Sequence, residues 1–168
     1  MAGMNKPMST NDLAITRTWT PKARTSFQPH RDLPFVQNEL MKESLFPPNG
    51  PKVAGPYSPA VRAGGFVFLS GQIPADPQTG ELVTGDIKKQ CARVLDSLTL
   101  VLEGCGLTLE DVVKTTVFLK DMNNFAAMNE MYGSYFPSNP PARTTVEVAR
   151  LPRDVGIEIE LVALDRPK

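Results

Sequence analysis

Residues 140–160 read PPARTTVEVARLPRDVGIEIE. Two segments in it, from Thr144 and from Ile157, alternate with the period of two that marks β-strands. The alternation is not a plain apolar and polar one. Arg143 follows directly on a Pro-Pro-Ala stop, and Glu158 and Glu160 interleave with Ile157 and Ile159. A cation and carboxylates held on stiff strands fit two readings. One is a small-molecule anion site with a base beside it, and the other is an ion pair across a sheet.

Elementary strand geometry constrains both. If 144–148 and 157–163 closed as a simple hairpin, Glu147 would face Glu158, and two opposed carboxylates repel. Arg143 would lie opposite Val162, roughly 13 Å along the strand from Glu158. Either the pairing differs from that hairpin, or Arg143 and Glu158 meet across a subunit boundary.

Upstream, Gly55-Pro56-Tyr57-Ser58-Pro59-Ala60 is an extended, proline-braced entry. Gly64-Gly65 between 61–63 and 66–72 signals a hairpin. Asp86 is placed to cap a helix in which Ile87, Cys91, Val94, Leu95, Leu98 and Leu102 recur at helical spacing, with Gly104 and Gly106 ending it. Residues 112–119 are rich in β-branched side chains and predict a strand. A second helix is expected from about Asn123 to Tyr135, with Phe125, Met128, Tyr132 and Phe136 as its apolar stripe. Asn129 lies in that stripe. It either caps a strand edge or binds a ligand, since a buried amide without partners costs roughly 1–3 kcal/mol.

The predicted order is β-β-α-β-α-β-β. Two helices on one face of a mixed sheet is the simplest layered solution, which makes the fold α+β. Too few helices remain to cover the other sheet face, so oligomerisation through that face is expected.

At 168 residues the chain has room for one domain with a real core. A formal net charge of zero argues against broad nucleic-acid binding. No apolar run approaches the ~20 residues of a membrane span. Cys91 and Cys105 would lie roughly 20 Å apart along one helix, too far for a disulfide, and they read as buried thiols. His30 is the single histidine and falls in an N-terminal segment expected to be poorly ordered. Catalytic triads, Cys–His pairs and histidine-based metal sites are thereby removed from the folded core. No metal and no cofactor are expected.

Residues 1–50 are set apart as an N-terminal extension. They hold Pro7, Pro21, Pro29, Pro34, Pro47 and Pro48 and show no sustained hydrophobic period. Within them, 33–45 is open to a short helix or a docking arm. The expected compartment is the cytoplasm. The alternative is a mitochondrion or plastid, if the extension includes a transit peptide.

Several motifs in order complete the reading: GPYSPA (55–60), FLSGQIP (68–74), DVVKTTVFLKDM (111–122), PARTTVEVARLP (141–152) and IEIE (157–160). Together they resemble the RidA (YjgF-like) family, over about residues 52–168, and the domain is set at 51–168. The resemblance implies a chorismate-mutase-like α+β fold and a homotrimer with ligand clefts between subunits. It also implies hydrolysis of reactive 2-imino acids, such as 2-iminobutanoate and 2-iminopropanoate, to 2-keto acids and ammonia, which protects enzymes that use pyridoxal phosphate. By resemblance, Arg143 binds the substrate carboxylate and Glu158 positions the attacking water. Tyr57, Ser70, Gly71, Asn129 and Thr145 are implied as substrate-binding residues.

Thr145 stands where some imine-hydrolysing members have Cys, and Pro140 where an aromatic often sits, which bears on substrate preference. The alternatives kept are a non-catalytic ligand-binding regulatory trimer and a related deaminase of the 2-aminomuconate type. RNA cleavage is disfavoured by the neutral charge.

Overall fold

The computed structural model describes residues 42–166. Six strands form one sheet: β1 (Glu43–Leu45), β2 (Ala60–Ala63), β3 (Phe66–Gln72), β4 (Val112–Leu119), β5 (Ala142–Glu147) and β6 (Ile157–Leu164). Two helices, α1 (Ile87–Gly104) and α2 (Phe125–Tyr135), join them. The spatial order is β1-β2-β3-β6-β4-β5. All neighbours are antiparallel except β4 and β5. Parallel neighbours need a crossover, and α2 supplies it. The α+β reading with two helices therefore holds.

The helix α1 forms for the reasons its sequence states. The Asp86 carboxylate accepts the Lys88 amide at 2.8 Å, satisfying one orphan donor of the first turn. Val94, Leu95, Leu98, Val101 and Leu102 are wholly buried. They share one core with Val67 and Leu69 of β3, Val117 and Leu119 of β4, and Ile157, Ile159, Leu161 and Ala163 of β6. Full burial of one such side chain contributes about 1.5–3 kcal/mol. Cys91 and Cys105 are free and buried, as expected from their separation.

Opposite that core, the second sheet face carries Phe66, Phe68, Val146 and Leu164, which are 38–45% exposed. No described helix is long and apolar enough to cross a membrane.

One open alternative is settled and two expectations are corrected. First, β5 and β6 are not a hairpin. β4 lies between them, parallel to β5 and antiparallel to β6. The connection 148–156 carries Arg153 and Asp154 in left-handed conformations (φ 56° and 58°), and β6 pairs on its other edge with β3. Glu147 thus never faces Glu158; its carboxylate accepts the Met122 amide at 2.7 Å instead. Second, ordered sheet begins before residue 51. Glu43–Leu45 is an edge strand paired antiparallel with 60–62 of β2, and Arg62 binds both Glu43 and Asp165 to hold it. The option of a helix at 33–45 therefore fails for 43–45, while 33–41 lies outside the described residues. Third, Asn129 is exposed on α2 rather than buried in its stripe, and Phe125 is 39% exposed; only Met128, Tyr132 and Phe136 are buried there.

Candidate functional site

The seven residues singled out from the sequence fall into two groups on one chain. The first is built where β5 runs beside α2. Arg143 pairs with Thr115 of β4, and Thr145 with Val117. Thr115 and Val117 are buried on the helix-covered face, so Arg143 and Thr145 share that face at the sheet edge. The Arg143 Nη2 donates to Asn129 Oδ1 at 2.6 Å. Its guanidinium carbon stands 4.5 Å from the centre of the Tyr132 ring and 5.8 Å from that of Phe125. A guanidinium stacked on aromatic rings keeps its planar donor fork in one orientation.

Around Arg143 is a cavity of ≈ 350 Å³ lined by Asn129, Tyr132, Gly133, Phe136, Pro140 and Pro141. Thr145 Oγ1 is buried without a hydrogen-bond partner among the described residues.

The second group is built at an irregularity between β3 and β6. The pairing register shifts between Leu69 and Gln72, which places Ser70 and Gly71 in a bulge. Glu158 lies on β6 opposite Phe118 of β4. Its strand neighbours Ile157 and Ile159 are buried on the helix face, so Glu158 and Glu160 project from the other face. The backbone of Gly71 runs directly against the Glu158 carboxylate: a methyl group at Gly71 would overlap Glu158 Oε1. Only glycine permits that approach.

Partial burial pushes the Glu158 carboxyl above the ordinary carboxylate range, and the charge of Glu160 adds to the shift. Ser70 Oγ donates to the Ser58 carbonyl at 2.8 Å, and the Ser70 amide to the Pro59 carbonyl at 3.0 Å, which ties the proline-braced entry to the bulge. Tyr57 is 46% exposed and shares a cavity of ≈ 300 Å³ with Gly71.

Within one chain the two groups do not meet. Arg143 and Glu158 are two strands and three residue rows apart, about 14 Å by sheet spacing, and on opposite faces. The structure brings Asn129 and Thr145 to Arg143, and Tyr57, Ser70 and Gly71 to Glu158 or its flank. The aromatic bed of Tyr132 and Phe125 under Arg143 was missed from the sequence because those side chains read simply as core. The bulge had a sequence signal, Ser70-Gly71 inside an otherwise alternating strand, which favours irregular pairing or close backbone approach.

The two groups differ in what they offer a substrate. Arg143 has donors beyond the one given to Asn129 and can take a carboxylate in two-point contact. Glu158 is a partly desolvated carboxylate and is suited to accept a proton.

Comparison with known proteins places this arrangement. The model of the family described as Endoribonuclease L-PSP matches residues 48–165. A RutC family protein of Pyrococcus horikoshii is 58% identical over 123 residues, covering 73% of this chain and 98% of the relative. The 2-iminobutanoate/2-iminopropanoate deaminase of Escherichia coli is 45% identical over 129 residues, covering 75% of this chain and 100% of the relative. Among solved structures, a putative endoribonuclease from Thermotoga maritima superposes with a TM-score of 0.72 at 50% identity, covering 76% of this chain and 100% of that one. The YjgF gene product of E. coli superposes with a TM-score of 0.70 at 44% identity, covering 74% and 99%. With the fold, the motifs and these likenesses in agreement, the chain belongs to the Endoribonuclease L-PSP family, which is the YjgF/RidA/RutC family.

Proposed function

We propose that this protein hydrolyses 2-imino acids, such as 2-iminobutanoate and 2-iminopropanoate, to 2-keto acids and ammonia, in a homotrimer whose sites form between copies. The observation that carries the reading is the separation of the two groups. A stacked cation and a partly buried carboxylate stand on opposite sheet faces, each complete in its own supports. The Arg143 group of one copy then faces the Glu158 group of the next. The exposed apolar row of Phe66, Phe68, Val146 and Leu164 is suited to bury against a neighbour. The name of the E. coli relative supports the choice of substrate.

The chemistry needs no nucleophilic side chain. Arg143 and Asn129 hold the substrate carboxylate, and this places the electrophilic C2 of the iminium opposite Glu158. A water held by Glu158 adds its oxygen to C2 while the carboxylate takes its proton. The nitrogen of the resulting carbinolamine takes that proton back from Glu158. The C–N bond then breaks, the hydroxyl proton passes through Glu158 to the departing ammonia, and the 2-keto acid remains. One water is consumed, and Glu158 ends as it began. A pKa raised above the ordinary carboxylate range by burial suits it to accept the proton and hand it on.

The test generates 2-iminobutanoate in place with a threonine dehydratase and follows keto-acid release against a competing trap. Wild-type protein is expected to accelerate release. Absence of acceleration, or equal acceleration by Arg143→Ala, would overturn the proposal. Binding of 2-keto acids without any turnover would point instead to a ligand-binding role for the same cleft.

A further inference from the structure

We propose that Tyr132 is a positioning residue for Arg143: its ring is the platform that orients the guanidinium, and its hydroxyl bond to Thr115 anchors that platform to the strand that pairs with Arg143. The inference rests on the reading of Arg143 as a carboxylate binder and extends it to residues that act through Arg143.

The geometry closes on itself. Thr115 of β4 is the ladder partner of Arg143 on β5. The same Thr115 is fully buried, and its Oγ1 shares a hydrogen bond of 2.8 Å with the Tyr132 hydroxyl. The Tyr132 ring returns to Arg143, at 4.5 Å from its guanidinium carbon. Strand, helix and cation thus form one loop of contacts, fixed at the backbone by the β4–β5 ladder.

Tyr132 has little freedom elsewhere. It is 4% exposed, and Phe136 packs against it with ring centres 4.7 Å apart. Burial raises the pKa of its phenol, so the hydroxyl stays protonated and the pair with Thr115 persists across the working pH range.

Asn129 and Tyr132 lie on one face of α2, three residues apart, and both reach Arg143. Asn129 engages one edge of the guanidinium, while Tyr132 fixes the plane in which the remaining donors point. Without the platform, a long side chain on an edge strand would sample several rotamers, and two-point contact with a carboxylate would require freezing it on each binding event. The tether matters because it pins the far end of the ring over the β4–β5 ladder, while Phe136 packing holds its face.

The alternative role for Tyr132 is plain core filling. The two roles separate in a mutant cycle made from Tyr132→Phe and Thr115→Val. Each change keeps side-chain volume, and both together remove donor and acceptor at once. Three readouts are taken: thermal midpoint, kcat and KM with an imine generated in place, and binding of 2-oxobutanoate by calorimetry as a non-reacting carboxylate probe.

If Tyr132 positions Arg143, either single variant raises KM and weakens 2-oxobutanoate binding about 5- to 20-fold while kcat changes less. The double variant recovers thermal stability but not binding. If the pair only fills and stabilises the core, binding returns with stability in the double variant, and the proposal is overturned.

Arg143→Ala is run beside them. If it binds 2-oxobutanoate as wild type does, or if wild type does not bind the probe, the carboxylate reading of Arg143 fails and takes this proposal with it. If Arg143→Ala abolishes binding while both singles bind normally, the positioning proposal alone falls.

Discussion

The Arg143 group and the Glu158 group solve opposite problems with the same sheet. At the β5 edge a cation is held by neutral supports, an amide and two aromatic rings, with no carboxylate among the described residues taking its donors. At the β3–β6 bulge a carboxylate is pressed against backbone, and burial raises its pKa with help from the charge of Glu160. One group is pre-organised to bind an anion, and the other is destabilised in its charged form and so ready to take up a proton. An ion pair between them would have quenched both. Separating them on opposite faces keeps each available for a ligand.

The sharpest way to break this contrast is to remove either charge. Arg143→Ala and Glu158→Gln are each expected to lower imine hydrolysis at least about 100-fold, by different routes: Arg143→Ala chiefly through KM, Glu158→Gln chiefly through kcat. If the site lies between copies, refolding the two inactive variants together regenerates about a quarter of the sites, because random assembly pairs intact halves at that frequency. No recovery on mixing would mean that both groups must come from one chain.

Next in size is Gly71→Ala. The added methyl must displace the Glu158 carboxylate, whose outer atoms are the nearest obstacle. A loss of about 10- to 100-fold in kcat is expected with only a small shift in thermal midpoint. Ordinary activity in this variant would show that the carboxylate does not work from its observed place.

A third measurement uses stability against pH. Because the folded pKa of Glu158 is raised, the folded state takes up a proton more readily than the unfolded chain. Its charge is therefore a stability penalty above the raised pKa, and the penalty disappears as pH falls through it. Glu158→Gln is expected to keep or raise the melting temperature at neutral pH while activity is lost. A clear drop in melting temperature would contradict the description of Glu158 as a destabilised group.

The smallest effect sharpens the picture of Glu158 as a base. Activity is expected to decline with acidification at a pH above that of an ordinary carboxylate. Glu160→Gln removes the neighbouring like charge and moves that decline to lower pH, followed as the acid limb of kcat/KM.

Much of this was legible before any coordinates. The Asp86 cap and the spacing of Val94, Leu95, Leu98 and Leu102 announced α1, and β-branched residues announced β4. Arg143, Asn129 and Glu158 stood out by resemblance to family motifs. Three things were not legible. A three-residue edge strand carries too little pattern to be seen, and β1 exists because β2 offers it a free edge. Asn129 read as buried because helical spacing describes a face and not what covers that face. Tyr132 read as core, and it is core; its second contact with Arg143 depends on how α2 lies across β5.

Local sequence determined the elements, because caps, turns and periodicity act over a few residues, and with the family motifs it marked the polar residues of interest. Only the tertiary structure decided that β4 would slip between β5 and β6. Strand pairing is settled by which faces must be buried together, and the apolar sides of β6 and β4 both belong to the one core that α1 and α2 complete. That insertion is what sets Arg143 and Glu158 on opposite faces, about 14 Å apart by sheet spacing, where a hairpin would have placed them on neighbouring strands.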